Sequence, residues 1–276
     1  MFTLKKILLP VDFSERSAAV APYAKAFALP FQSHVVLFHA EDSRRAARAE
    51  HMNVIKTQLE SLACNQFNDV LVTREVAEGD PAAKIVDYAH AEGVDLIMMP
   101  TRGCGPYRRF LLGSVTAKVL HDSDCPVWTS VHSEAAVPPD SVSYRKIACA
   151  VDLGPNTDQV LSWASGLCSA CKGRLLVIHI TKSVEPILAE ASEPHLQLEL
   201  VRTATEEIAD RLKRMKIEAE IAVGSGSVAD ETYKHAAQFA ADLLVIGRHA
   251  AKGFTGRLRP HSYSIIRESL CPVVSI

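Results

Sequence analysis

One stretch of this chain is written twice, and no other feature limits its fold as much. Lys5–Ser14 reads KKILLPVDFS, and Arg145–Gly154 reads RKIACAVDLG. VDLIMMP at Val94–Pro100 returns as ADLLVIG at Ala241–Gly247. Cys-Pro-Val closes both copies, at Cys125–Val127 and Cys271–Val273. The offset between the copies drifts by only a few positions from end to end. A repeat of this length is a domain rather than a solenoid unit. The 276 residues therefore divide into two domains of roughly 130 residues each. Two copies of one site need not both keep its chemistry, and the differences between them indicate which copy does.

Hydrophobic residues make up 48 % of the chain, enough for a core in each half. Net charge is −2, with no large block of one sign, which weighs against a nucleic-acid partner. No apolar run reaches the length of a membrane span. The strand pattern begins almost at the first residue, so no secretory leader is expected. The seven cysteines are scattered over both halves and read as reduced, mostly buried thiols of a cytoplasmic protein.

Each half alternates short apolar runs with helical patterns. Strands are expected at Ile7–Val11, His34–His39, Asp69–Val76, Leu96–Met99 and Pro126–Val131. The second set falls at Lys146–Val151, Leu175–Ile180, Glu218–Val223, Leu243–Ile246 and Val273–Ile276. Helices are expected at Ala18–Leu29, Arg44–Cys64, Pro81–Glu92 and Ser114–His121, with Asp80 capping the third. The amphipathic patterns Arg44–Cys64 and Pro194–Met215 should pack on the sheet. Strands without polar alternation, separated by helices, indicate a parallel sheet covered on both faces. SEAAVPPDSVS has linker composition. The first domain is thus expected over 1–132, the linker over 133–143 and the second domain over 144–276.

The functional text is PTRGCGPYRRFLLGSVT at Pro100–Thr116. It runs from the carboxyl end of the fourth strand to a helix start, where open α/β sheets bind ligands. Gly103, Gly105 and Gly113 allow close backbone approach. Gly113-Ser114-Val115-Thr116 can present N–H groups and hydroxyls to an anion at a helix N-terminus. Arg102, Arg108 and Arg109 add positive charge. No Gly-Lys-Ser/Thr follows, so this is not a P-loop, and it is not GxGxxG either. By spacing alone, a plain glycine-rich turn reads equally well.

These residues carry a resemblance. The chain is similar, over both halves, to tandem universal stress proteins, whose fingerprint is Gly-x2-Gly-x9-Gly-Ser/Thr. Gly103, nine residues and then Gly113-Ser114 match its last two elements, while Pro100 replaces its first glycine. FLLGSVTAKVL, Cys125-Pro126-Val127 and PVDFS also resemble the family. The resemblance implies two flavodoxin-like, Rossmann-like α/β domains of the adenine nucleotide α-hydrolase type. Each would have five parallel strands in the order 3-2-1-4-5.

It also implies an ATP site, or one for ADP or AMP, with a magnesium ion. Pro10, Val11 and Asp12 would flank adenine and ribose, and Ala40 would meet adenine. Met99, Pro100, Thr101, Arg102 and Gly103 would line the ribose and phosphate side. Gly113, Ser114, Val115 and Thr116 would hold the phosphates. Pro100 has no N–H to donate there. The fifth strands, Val127–Val131 and Val273–Ile276, would pair within the chain as a pseudo-dimer, and whole chains could dimerise further.

The second copy departs from the fingerprint. Gly247-Arg248-His249-Ala250 keeps the first glycine and has alanine at the second. Arg259-Pro260 stands where Gly113-Ser114 stands in the first copy. Nucleotide binding is therefore expected in the first half alone. Gly253 and Gly256 become loop residues, and Arg257, Arg259 and His261 remain as a lesser anion site. Asp12 is read as a ligand group and Asp152 only as a cap.

Other candidates weigh less. Cys168-Ser-Ala-Cys171 is a lone CxxC near a helix end, which favours neither zinc nor redox work. Cys104, inside the glycine loop, is the thiol expected to be exposed. His39 and His179 end their second strands and are read as structural. No Ser-His-Asp or HExxH pattern is present, so any ATP turnover would be slow. The leading function is a nucleotide-binding stress-response regulator or sensor. The alternatives are an interaction scaffold that binds no nucleotide, supported by Pro100, and an α-hydrolase-type enzyme. PVDFSERS argues against the last, because that class carries a serine- and glycine-rich loop there.

Overall fold

A computed structural model describes residues 2–41, 49–62, 66–101, 112–130, 142–182, 193–248 and 260–276. The first half contains β1 (Lys6–Pro10), α1 (Glu15–Ala18), α2 (Ala21–Phe31), β2 (His34–Glu41) and α3 (Ala49–Ser61). It continues with β3 (Val72–Glu78), α4 (Pro81–Ala91), β4 (Leu96–Met99), α5 (Ser114–Asp122) and β5 (Val127–Thr129). The second half repeats the plan with β6 (Lys146–Ala150), α6 (Thr157–Ala170), β7 (Arg174–Thr181), α7 (Glu193–Met215) and β8 (Glu220–Ser225). It ends with α8 (Val228–Phe239), β9 (Leu243–Ile246), α9 (Pro260–Glu268) and β10 (Val273–Ser275).

The ten strands form one sheet in the order β3-β2-β1-β4-β5-β10-β9-β6-β7-β8. Within each half the order is the expected 3-2-1-4-5, and neighbouring strands are parallel. The two halves meet through one antiparallel pair, β5 with β10, which sets Trp128 opposite Val274. That pairing removes an exposed edge from each half. The Thr129 hydroxyl donates to the Val273 carbonyl at 3.4 Å, and Ser275 donates to Val127 at 3.3 Å.

Alternation along each strand explains why both faces of the sheet are covered. Ile7 and Leu9 enter one core, while Leu8 enters the other. Val35 and Leu37 separate from Val36 and Phe38 in the same way, as do Ile147 and Cys149 from Ala148. Central β4, LIMM, is buried along its whole length, which is why its text carries no polar alternation.

Some boundaries differ from the sequence expectation. The helix expected over Ala18–Leu29 is two helices, α1 and α2, broken at Ala19–Val20. Pro22 sits in the first turn of α2, where its missing N–H is tolerated, so the second helix starts there. The expected strand Asp69–Val76 begins later and extends to Glu78, because the backbone of β2 pairs with it as far as Glu41 opposite Glu78. Strand β8 shifts likewise, to Glu220–Ser225. Both are outermost strands with partly exposed faces, so hydrophobic pattern fixes their ends weakly. Asp80 caps α4 as expected, accepting from the Ala83 N–H at 3.0 Å.

Candidate functional site

The carboxyl ends of β1, β2 and β4 meet the N-terminus of α5 in the first half. After β1 the backbone is held tightly. The Val11 N–H donates to the Phe38 carbonyl at 2.8 Å, and His39 Nδ1 donates to the Val11 carbonyl at 2.8 Å. Phe13 then turns through the left-handed region (φ 59°), an uncommon conformation for a bulky residue. Its ring lies 4.6 Å from the His39 ring. Asp12 is exposed, and its carboxylate accepts from the Ser14 N–H at 3.1 Å. Ser14 in turn caps α1 by accepting from the Ser17 N–H at 3.1 Å.

The second half rebuilds this frame. His179 Nδ1 donates to the Val151 carbonyl at 2.9 Å, and Leu153 has φ 58°. Asp152 accepts from the Gly154 N–H at 2.9 Å. Asp12 and Asp152 therefore make the same backbone turn, and Asp12 accepts in addition from the Ser14 hydroxyl at 2.5 Å, a donor that Gly154 cannot offer. The paired histidines hold the end of the first strand in both halves. This agrees with their structural reading.

Helix α5 starts at an extended Gly113 (φ −61°, ψ 147°) that supplies no side-chain cap. The Gly113 N–H is engaged by the Thr101 carbonyl at 2.8 Å. Buried Thr116 donates its hydroxyl to the Pro100 carbonyl at 2.9 Å and so ties the helix to the end of β4. Ser262 makes the corresponding bond to Gly247 at 3.2 Å. Ser114 is exposed and Val115 half-buried, at a helix start where the first-turn N–H groups have no intrahelical acceptors and no side-chain cap. Pro10, Val11, Met99, Pro100 and Thr101 are buried beneath, and Ala40 is half-buried at the end of β2. The geometry thus gathers Pro10, Val11, Asp12, Ala40, Met99, Pro100, Thr101 and Gly113–Thr116 at one end of the sheet. Arg102, Gly103, Cys104, Gly105, Arg108 and Arg109 lie outside the described residues, as do His249–Arg259.

Two features were not read from the sequence. Glu41, at the end of β2, stands 3.4 Å from His39 Nε2 and 3.3 Å from His51 Nε2 of α3. Its counterpart Thr181 is met instead by Gln197 of α7 at 2.9 Å. A carboxylate–imidazole tie in one half is therefore a neutral tie in the other. The second feature is Arg248, which occupies the position of Thr101. It reads as a surface residue and is fully buried, with Nη2 donating at 2.8 Å to the carbonyls of both Ser123 and Cys125.

The CxxC pair is packed rather than presented. Cys168 is buried and Cys171 ends α6, and burial raises both thiol pKa values. Among the described residues no group of three His, Cys, Asp or Glu side chains stands together for a metal ion. Among them also, no helix is long and apolar enough to cross a membrane.

The model of the universal stress protein family matches the chain twice, over residues 3–130 and again over 143–276. The chain belongs to the universal stress protein family. Universal stress protein MJ0577 of Methanocaldococcus jannaschii is 31 % identical over 149 residues, covering 45 % of this chain and 92 % of that protein. Universal stress protein Rv2005c of Mycobacterium tuberculosis is 24 % identical over 227 residues, or 80 % of this chain and 74 % of its own length. A crystal structure of a universal stress protein from Archaeoglobus fulgidus superposes with a TM-score of 0.74 at 22 % identity. It covers 99 % of this chain and 98 % of that one, so the two chains share the fold over their whole length.

The second half of this universal stress protein holds a cavity of about 670 Å³ at the carboxyl ends of its strands. Leu200, Thr203, Ala204 and Glu207 of α7 form one wall. Their spacing puts them on one helix face. Ile208 and Leu212 pack α7 on the sheet as the sequence reading expected, while its cavity-facing stripe went unread.

Proposed function

We propose that the first half binds ATP, or ADP or AMP, across the ends of β1, β2 and β4, and that the protein acts as a stress-response regulator or sensor. The carrying observation is the start of α5, where Gly113 leaves the first-turn N–H groups without a side-chain cap above a buried floor. An anion there meets backbone donors and the positive end of the helix. Ser114 and Val115 would hold phosphate oxygens, while Thr116 fixes the helix by its bond to Pro100. Asp12 would face the ribose, with Val11 and Ala40 against adenine. In this reading the magnesium ion is carried on the phosphates. The second half, where α9 opens with Pro260 in place of Ser114, would be structural or partner-binding.

Incubation with ATP and magnesium, followed by quantification of retained nucleotide, tests the reading. The expected result is roughly one nucleotide per chain, lost in Gly113→Arg. Two equal sites would remove the asymmetry, and unchanged binding by Gly113→Arg would remove the site. No retention and no thermal shift would leave the fold as an interaction scaffold.

A further inference from the structure

We infer that the cavity of the second half is a binding site for a small, uncharged, mainly apolar molecule that donates one hydrogen bond to His179. This inference does not rest on nucleotide binding in the first half.

The cavity's volume of about 670 Å³ lies in the range of small-molecule sites. Its walls are chiefly aliphatic, with Val160, Ile178, Ile180, Ile246, Ile265 and Leu200 among them. Leu200 is 38 % exposed, so the apolar wall reaches the mouth. Its charges do not suit a polyphosphate. Among the described lining residues the carboxylates of Asp152 and Glu207, the latter paired with Arg211 at 2.9 Å, stand with Lys182 as the one lysine or arginine. The helix that should receive phosphate, α9, begins with a proline and so lacks its first N–H.

The polar handle follows from the difference between the two halves. A carbonyl only accepts, so the Nδ1 of His179, 2.9 Å from the Val151 carbonyl, carries the proton. In the neutral ring Nε2 is then an acceptor. In the first half the equivalent Nε2 meets Glu41. In the second half Thr181 replaces that carboxylate, and its hydroxyl is taken up by Gly224 and Gln197. His179 Nε2 is left at the cavity wall with no hydrogen-bond partner among the described residues. The Thr157 and Thr232 hydroxyls on the same wall are also buried without partners, but each can donate or accept. His179 Nε2 is the uncharged group there that can only accept, so this largely apolar cavity selects an uncharged ligand with one N–H or O–H for it.

N-phenyl-naphthylamine, a neutral fluorophore with one N–H, is the probe. Titration of the full chain should show saturable binding of about one probe per chain. The N-methylated form should bind about tenfold more weakly, as expected for one lost hydrogen bond. Thr203→Trp, on an exposed face of α7, should fill the cavity and weaken binding at least tenfold while leaving thermal unfolding unchanged. Saturating ATP with magnesium should not displace the probe. The inference is overturned by non-saturable binding, by equal affinity for the two probes, by unaltered binding in Thr203→Trp, or by one-for-one displacement by ATP.

Discussion

The Arg248 guanidinium of the second half lies 2.8 Å from the carbonyl of Ser123 in the first. The same Nη2 reaches Cys125 O at 2.8 Å, and the side chain is fully buried. Both acceptors lie in the turn that feeds β5, the strand that pairs with β10. Arg248 therefore locks the junction between the halves from beneath. Arg248→Ala removes a charge-assisted donor from two buried carbonyls and leaves a cavity. It should lower stability by about 3 kcal/mol. Urea unfolding would measure this, and a loss below about 1 kcal/mol would refute the locking role.

Most of the fold was legible because the strands are buried on both faces. LIMM at Leu96–Met99 and LLVI at Leu243–Ile246 admit no other reading once helices separate them. The pairing of the halves through β5 and β10 was legible from the resemblance, not from periodicity. Arg248 was not legible, since burial of an arginine depends on carbonyls from another domain. The Glu41–His51 contact joins a strand end to a helix, and the amphipathic pattern of Arg44–Cys64 does not say which of its polar residues meets Glu41. The cavity beside α7 was hidden for a related reason. An amphipathic stripe looks alike whether it meets a sheet or an empty volume.

Helix α5 allows one backbone donor to be deleted without disturbing the fold. Proline is tolerated at the first helical position, and it requires an extended residue before it. Gly113 is extended, with ψ 147°. Ser114→Pro should therefore fold normally, with stability within about 0.5 kcal/mol of the parent. In the ATP reading it loses one charge-assisted bond of about 2 kcal/mol, a roughly thirtyfold weaker affinity. Calorimetric titration with ATP and magnesium decides the matter, and an unchanged affinity would place the phosphates elsewhere.

Burial pushes the thiols of Cys125 and Cys149 up to about 12 and that of Cys271 to about 11. An unfolded thiol titrates near pH 8.5. The folded state therefore keeps protons that the unfolded state releases. Their contribution is whole below about pH 8.5 and is lost as pH rises toward the folded values. Stability should fall above about pH 9, with each thiol contributing up to ~1.4 kcal/mol per pH unit. Cys149→Ala should show a shallower loss than the parent in urea midpoints taken from about pH 8 to pH 10.5. Parallel curves would mean that this thiol is not protonated by burial.

Phe2 and Gly166 give a reversal of sign that tests how the N-terminal segment of the first half seats on the second. Phe2 packs edge-on against Phe31 and against Trp163 of α6, with ring centroids 5.5 Å and 5.4 Å apart. A Cβ on Gly166 would lie 2.4 Å from Phe2 Cγ and 2.5 Å from its Cβ. Relief requires moving Phe2 as a whole, because its own Cβ is in the clash. Gly166→Ala alone should therefore destabilise the protein, by about 1–2 kcal/mol net of the gain in helix propensity. In a Phe2→Gly background both clashing atoms, Cγ and Cβ, are gone and only the propensity term remains. There the same substitution should stabilise α6 by up to about 1 kcal/mol. A double-mutant cycle in urea reads the difference directly. Equal effects of Gly166→Ala in the two backgrounds would show that Phe2 does not rest on α6.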